Sequence, residues 1–171
     1  GRKACTRRIL KGGIPFDEKA EYWNVLKKGE WSGPICSEYF IKQGSLYKPG
    51  DILYVRETFI RAADHTFWYK ADDELWMSKD LLWHPSIHMP KEAARIWLKV
   101  TDVRVERLQD MTDDDAEAEG CFDYTSTALG FPDVWNSTIK KSDLDRYGWN
   151  ANPWVWVIEF ERCEKPEEEG R

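Results

Sequence analysis

The stretch "ARIWLKVTDVRVERL", residues 94–108, decides how this chain folds. Its apolar residues alternate as Ile96, Leu98 and Val100 and resume at Val103 and Val105, so the parity slips by one at Thr101 and Asp102. Period-two alternation marks a β-strand with one covered face. A slip in its middle turns half of the strand inside out unless the backbone bulges there, and bulges are what curve a sheet towards a barrel.

Working outward, "NPWVWVIEFER" (152–162) is a second strand, with Trp154, Trp156, Ile158 and Phe160 on one face and Val155 and Val157 on the other. A strand apolar on both faces is covered on both sides. "YKPGDILYVRETFI" (47–60) begins with a Pro-Gly turn, after which Leu53, Val55, Glu57 and Phe59 share one face and Ile52, Tyr54, Arg56 and Thr58 the other. One of two adjacent charges therefore lies among apolar residues and needs a partner. The simplest expectation for Arg56 and Glu57 is a structural ion pair within or across strands. "DHTFWYKAD" (64–72) reads as the antiparallel return of a hairpin.

Two helices are predicted. In "DEKAEYWNVLKK" (17–28), Tyr22, Trp23 and Leu26 fall at helical spacing and Gly29 provides a stop. In "MTDDDAEAEG" (111–120), Thr112 is an N-cap, Asp113, Asp114 and Asp115 suit the positive end of the helix dipole, Met111 can staple onto Ala116, and Gly120 ends the helix. Glu119 is then misplaced: a carboxylate in the last turn costs about 0.3–1 kcal/mol unless it is solvated or a cation holds it. Several strands with few helices point to an α+β chain built on a small closed barrel with decorations.

Composition bounds the function. The chain has 171 residues, 42% of them apolar and 33% charged, enough for one core and too few for two full domains. No apolar run approaches the roughly 18 residues of a membrane span, and no signal peptide is evident. Cys5, Cys36, Cys121 and Cys163 are scattered without a C-x-x-C pair, as expected of reduced thiols in a cytoplasm. The net charge of −6 argues against a protein that works by gripping phosphates along its whole surface. The charge is uneven, however: residues 1–60 carry 11 Lys/Arg against 7 Asp/Glu, and residues 61–160 carry 11 against 19. His84 and His88 have an i, i+4 spacing, but Pro85 disfavours the helix that would put them on one face, and no metal or other cofactor is expected. The end "EKPEEEGR" has nothing apolar to offset the cost of ordering it, so 163–171 is expected to be a disordered acidic tail.

Four segments together carry a family resemblance: the opening "GRKACTRRIL" (1–10) with its G-x-K-x-x-T-x-R spacing, "PGDILYVRETF", "LQDMTDDDAEAEG" and "NPWVWVIEF". In that order they resemble the ASCH domain, a PUA-like β-barrel. The segment "WHPSIHMPKEAARIWLKVTDVRVERLQDMTDDDAEAEG" looks like the larger ASCH proteins of bacteriophages and prophages. The resemblance implies a PUA-like barrel of about five to six mostly antiparallel strands with flanking short helices. It implies a single domain over 1–162 with an insert around 121–150, acting as a monomer in the cytoplasm of a bacterial host. ASCH domains usually have a helix or strand before this motif, so a preceding N-terminal piece is expected.

The resemblance also implies a site. Some small ASCH members remove the acetyl group of N4-acetylcytidine with a Lys, a Thr and a Glu, which fall here on Lys3, Thr6 and Glu119. The chemistry is reasonable in itself, since a threonine hydroxyl needs an adjacent base, and a neutral lysine serves where burial or a neighbouring cation such as Arg7 or Arg8 disfavours its proton. Glu119 would orient Lys3 or pass a proton to the leaving amine. Arg8, Arg56, Glu57, His88, Trp23 and Trp83 are the candidates for lining the substrate pocket. The structural alternatives are a solvated basic arm for the opening and a surface helix end for Glu119. Lys3 and Thr6 point to opposite faces of an extended strand, so a dyad requires the segment to turn. The alternative function is a non-catalytic module that binds RNA or single-stranded DNA with stacking aromatics and Arg/Lys contacts.

Overall fold

A computed structural model describes residues 3–11, 16–17, 22–27, 30–36, 44–72, 81–121 and 127–167, of which 16–17, 22–27, 30–36 and 127–129 are described by their backbone. The class is α+β. The principal sheet is antiparallel and barrel-like, with strand order β1-β9-β8-β5, where β1 is Cys5–Ile9, β5 Ile52–Tyr54, β8 Trp97–Arg107 and β9 Trp154–Cys163. A second sheet comprises β2 (Phe16–Asp17), β3 (Tyr22–Lys27) and β4 (Glu30–Cys36), and a third pairs β6 (Phe59–Arg61) with β7 (Phe67–Tyr69). Short helices α1 (Asp113–Ala118), α2 (Thr127–Ser137) and α3 (Leu144–Tyr147) and several single 3-10 turns complete the described elements. Among the described residues no helix is long and apolar enough to cross a membrane.

By its contacts the chain divides into two compact units: Gly1–Asp51 with Val100–Phe160, and Ile52–Lys99 with Glu161–Arg171. In the first unit β1 pairs with β9 in the register Cys5↔Glu159, Arg7↔Val157 and Ile9↔Val155. Val155 and Val157 are buried with Leu108, Met111, Ala116, Phe131 and Trp135 in one cluster. Ile158 on the opposite face of β9 is buried too, as expected of a strand covered on both sides. In the second unit β5 pairs with the start of β8, and Phe59, Met89, Ala93, Ala94 and Trp97 form a separate cluster.

Several expectations change. Tyr22–Lys27 is a strand, not part of a helix, because it finds a ladder partner in β4 (Trp23↔Ile35, Leu26↔Trp31), and its aromatic and β-branched residues suit that ladder. The described residues hold nine strands in three sheets, four of them in the barrel-like sheet for which five to six were expected. The strand expected over 52–60 divides into β5, which pairs with β8, and β6, which forms the predicted hairpin with β7. In β8 the buried residues are Trp97, Val100 and Val103, with Thr101 and Asp102 exposed where the parity slips. Trp97 replaces Ile96 and Leu98 as the buried residue because its ring packs against Tyr54 in the second unit's cluster. Cys163, expected in the tail, closes β9, and residues 164–167 follow without regular structure.

Candidate functional site

The start of β1 and the end of α1 meet. Helix α1 begins as its sequence dictates: the Thr112 hydroxyl accepts from the Asp115 N–H, and the Asp115 carboxylate accepts from the Thr112 N–H, forming a capping box. Met111 and Ala116 lie in the same core cluster, as a hydrophobic staple requires. The helix ends with Gly120 at φ 93°, the Gly120 N–H donating to Glu117 O and the Cys121 N–H to Ala116 O, a Schellman arrangement that favours glycine. The Ala4 N–H donates to Ala118 O at 2.7 Å, tying β1 to this helix end.

Glu119 is held by two cations, Lys3 Nζ at 3.3 Å and Arg7 Nη1 at 3.2 Å. The local dipole argument therefore finds its counter-charges in the tertiary structure. Arg7 is only 2% exposed. It also donates to Glu106 from Nε at 3.0 Å and Nη2 at 2.6 Å, and Asp115 lies 3.4 Å from Nη2. Arg104 extends the cluster to Asp102, Glu106, Asp115 and Glu159. Burial works against the charged Arg7, yet hydrogen bonds to Glu106 and the nearby carboxylates hold its guanidinium above the ordinary range. Burial, followed by the charge of Glu119, pushes the Cys5 thiol up to about 11.

The turn that a Lys3–Thr6 dyad requires is not formed. Cys5–Ile9 is extended and fully paired with β9, and the Phe160 N–H donates to Ala4 O. Cys5 and Arg7 face α1, so alternation sends Thr6 and Arg8 to the opposite face. The ammonium of Lys3 donates to Glu119. The structure thus brings Lys3 and Glu119 together and leaves Thr6 on the other side of the strand.

That opposite face carries a cleft of about 500 Å³, lined by Arg8, Lys11, Leu46, Tyr47, Trp156 and Ile158 with neighbouring backbone. Leu46 at its rim is 92% exposed. Arg8 and Lys11 have no hydrogen-bond or carboxylate partner among the described residues, unlike Lys3, Arg7 and Arg104.

The remaining candidates belong to the second unit, apart from Trp23, which pairs with Phe16 and Ile35 in the backbone of the three-stranded sheet. Arg56 and Glu57 do not pair with each other. Arg56 donates to Ile87 O and Tyr54 Oη, whereas Glu57, on the covered face of the segment, takes a bidentate pair from Arg95 at 2.9 and 2.7 Å. His88 is exposed at the end of a single 3-10 turn, and the His84 ring packs 5.5 Å from Phe59. Among the described residues no three His, Cys, Asp or Glu side chains are grouped to hold a metal ion. Trp83 lines a pocket with Phe67, Trp68, Tyr69, Asp72, Leu81 and Arg95, and its shielded indole N–H has no hydrogen-bond partner among the described residues. An unmade bond of this kind costs about 1–3 kcal/mol.

Several residues central to this geometry were not singled out in the sequence. Lys11, Tyr47 and Trp156 come together only through the fold. The signal for Arg7 was present, since an arginine between Cys5 and Ile9 at period two lies on an apolar face. No family model matches this chain, and neither does any curated protein or solved structure.

Proposed function

We propose that this protein is an ASCH-type, PUA-like domain that binds single-stranded nucleic acid in the cleft on the Thr6–Arg8 face, in the cytoplasm of a bacterial host as its resemblance to phage proteins implies. One observation carries the reading: a single cleft combines Tyr47 and Trp156 with two cations, Arg8 and Lys11, that no described carboxylate neutralises. Aromatic faces accept bases at about 1–3 kcal/mol each, and an unpaired Arg or Lys beside them accepts phosphate. The net charge of −6 argues against a broad phosphate grip, but it leaves room for two local contacts, because charges beyond roughly 8 Å are screened at physiological salt.

The test is a fluorescence titration of the tryptophans with short oligo(dT) and oligo(rU), on the protein and on its Arg8→Ala variant. Saturable quenching is expected, weakened about tenfold in the variant, the value of one charge-assisted hydrogen bond. Equal affinities would remove the cleft from the reading.

The contact between Lys3 and Glu119 favours a second reading, hydrolysis of the amide of an N4-acylated cytidine at that pair, with the Thr6 of the implied triad on the other face of β1 and taking no part. Incubation with N4-acetylcytidine beside a Lys3→Ala variant tests it. Turnover that disappears in the variant supports the enzyme, and a folded protein without turnover leaves the binding module.

A further inference from the structure

The geometry points to a separate ligand site within the unit 52–99: a pocket for a flat nitrogen heterocycle, uncharged or cationic and free of phosphate, that stacks on Arg95 and donates N–H groups to Asp72. The pocket encloses about 310 Å³ between Phe67, Trp68, Leu81 and Trp83, with Tyr69, Asp72 and Arg95 at its polar side. This is the size and lining of a small-molecule site, in which apolar walls enclose a few placed polar groups.

Arg95 is fixed in position. Its guanidinium carbon lies 4.0 Å from the centre of the Tyr69 ring, so one face is covered. In its plane, Nε and Nη2 donate to Glu57 at 2.9 and 2.7 Å, Nη2 donates to Asp72 at 3.0 Å, and Nη1 donates to the other Asp72 oxygen. These bonds use four of the five N–H groups. What remains is a held, flat, delocalised cation whose side chain is 35% exposed, a stacking surface more than a hydrogen-bonding one. A planar ring laid on it continues the stack begun by Tyr69.

The electrostatics select the ligand. Among the described residues, Glu57 and Asp72 outnumber Arg95 by one charge, and Arg95, the one cation in the described lining, already has both carboxylates. A phosphate finds no free cation among the described lining residues. Asp72 is 58% exposed and keeps lone pairs for further donors. None of these residues belongs to the cleft of the other unit, so the two sites stand or fall separately.

The probe is 2-aminopurine, whose fluorescence is excited beyond the tryptophan band and quenched on stacking. Saturable quenching by the full chain is expected, lost in Trp68→Ala and weakened about tenfold in Asp72→Asn, both at exposed positions where folding is undisturbed. The 5′-monophosphate of 2-aminopurine riboside is expected to bind at least tenfold more weakly. Equal binding of base and monophosphate overturns the proposal. So does quenching that survives Trp68→Ala and disappears in Arg8→Ala, which would place the base in the other cleft.

Discussion

Arg7 is a guanidinium out of contact with water, and it persists because Glu106, Asp115 and Glu119 surround it. Removing one member of a buried pair costs more than the pair contributes, since the partners are left charged and unpaired. Arg7→Ala is therefore expected to lower stability by about 3–5 kcal/mol in urea denaturation, and Arg7→Lys to recover part of it, because an ammonium cannot fork to three carboxylates. A loss below about 1 kcal/mol for Arg7→Ala would mean that water enters and solvates the carboxylates. Half of this arrangement was reached from the sequence, since the helix dipole leaves Glu119 in want of a cation, whereas the alternation that buries Arg7 was a signal present but not read. The pairing itself was not legible, because Arg7 and Glu119 are 112 residues apart and only the docking of β1 onto α1 joins them. The same alternation argument set the condition for a Lys3–Thr6 dyad, and the straight β1 does not meet it.

At the scale of elements, α1 and β3 show why one segment reads correctly and another does not. Every signal of α1 lies within ten residues, from the Met111 staple to the Gly120 stop, so no tertiary partner has to be known. The spacing of Tyr22, Trp23 and Leu26 fits either period over so short a window, and the decision came from β4, whose pairing the sequence does not announce. The dependence of α1 on Asp115 has a pH signature. Burial raises the Asp115 pKa, but hydrogen bonds from the Thr112 N–H and hydroxyl, and then the charge of Arg7, outweigh it and hold the carboxyl below its ordinary value. A depressed carboxyl stabilises the fold above its unfolded pKa of about 3.9, and this contribution is lost as pH falls through the lower folded value. Asp115→Asn is expected to cost about 1 kcal/mol near neutral pH and to flatten the loss of stability below about pH 4. Urea midpoints across that range check it, and parallel profiles for the two proteins would detach Asp115 from the acid transition.

For the whole molecule, net charge predicts less than the distribution of partners. The excess of Lys and Arg in residues 1–60 suggests a basic face, yet Lys3 and Arg7 are absorbed, with Arg104, into a cluster containing Asp102, Glu106, Asp115, Glu119 and Glu159. Among the described residues that line the cleft, Arg8 and Lys11 remain available for an anion. Phosphate contacts release counterions, and for a single strand the logarithm of the affinity falls with the logarithm of salt at a slope of about 0.7 per contact. Two contacts set an expected slope of about −1.4 for oligo(dT), much shallower than the slope near −10 of a protein that holds duplex DNA through many phosphates. Titrations at several potassium chloride concentrations measure it. A slope beyond about −4 would require more cations than the described lining of the cleft provides and would move the nucleic acid to another face, whereas a slope near zero would leave stacking on Trp156 and Tyr47 as the whole of the interaction.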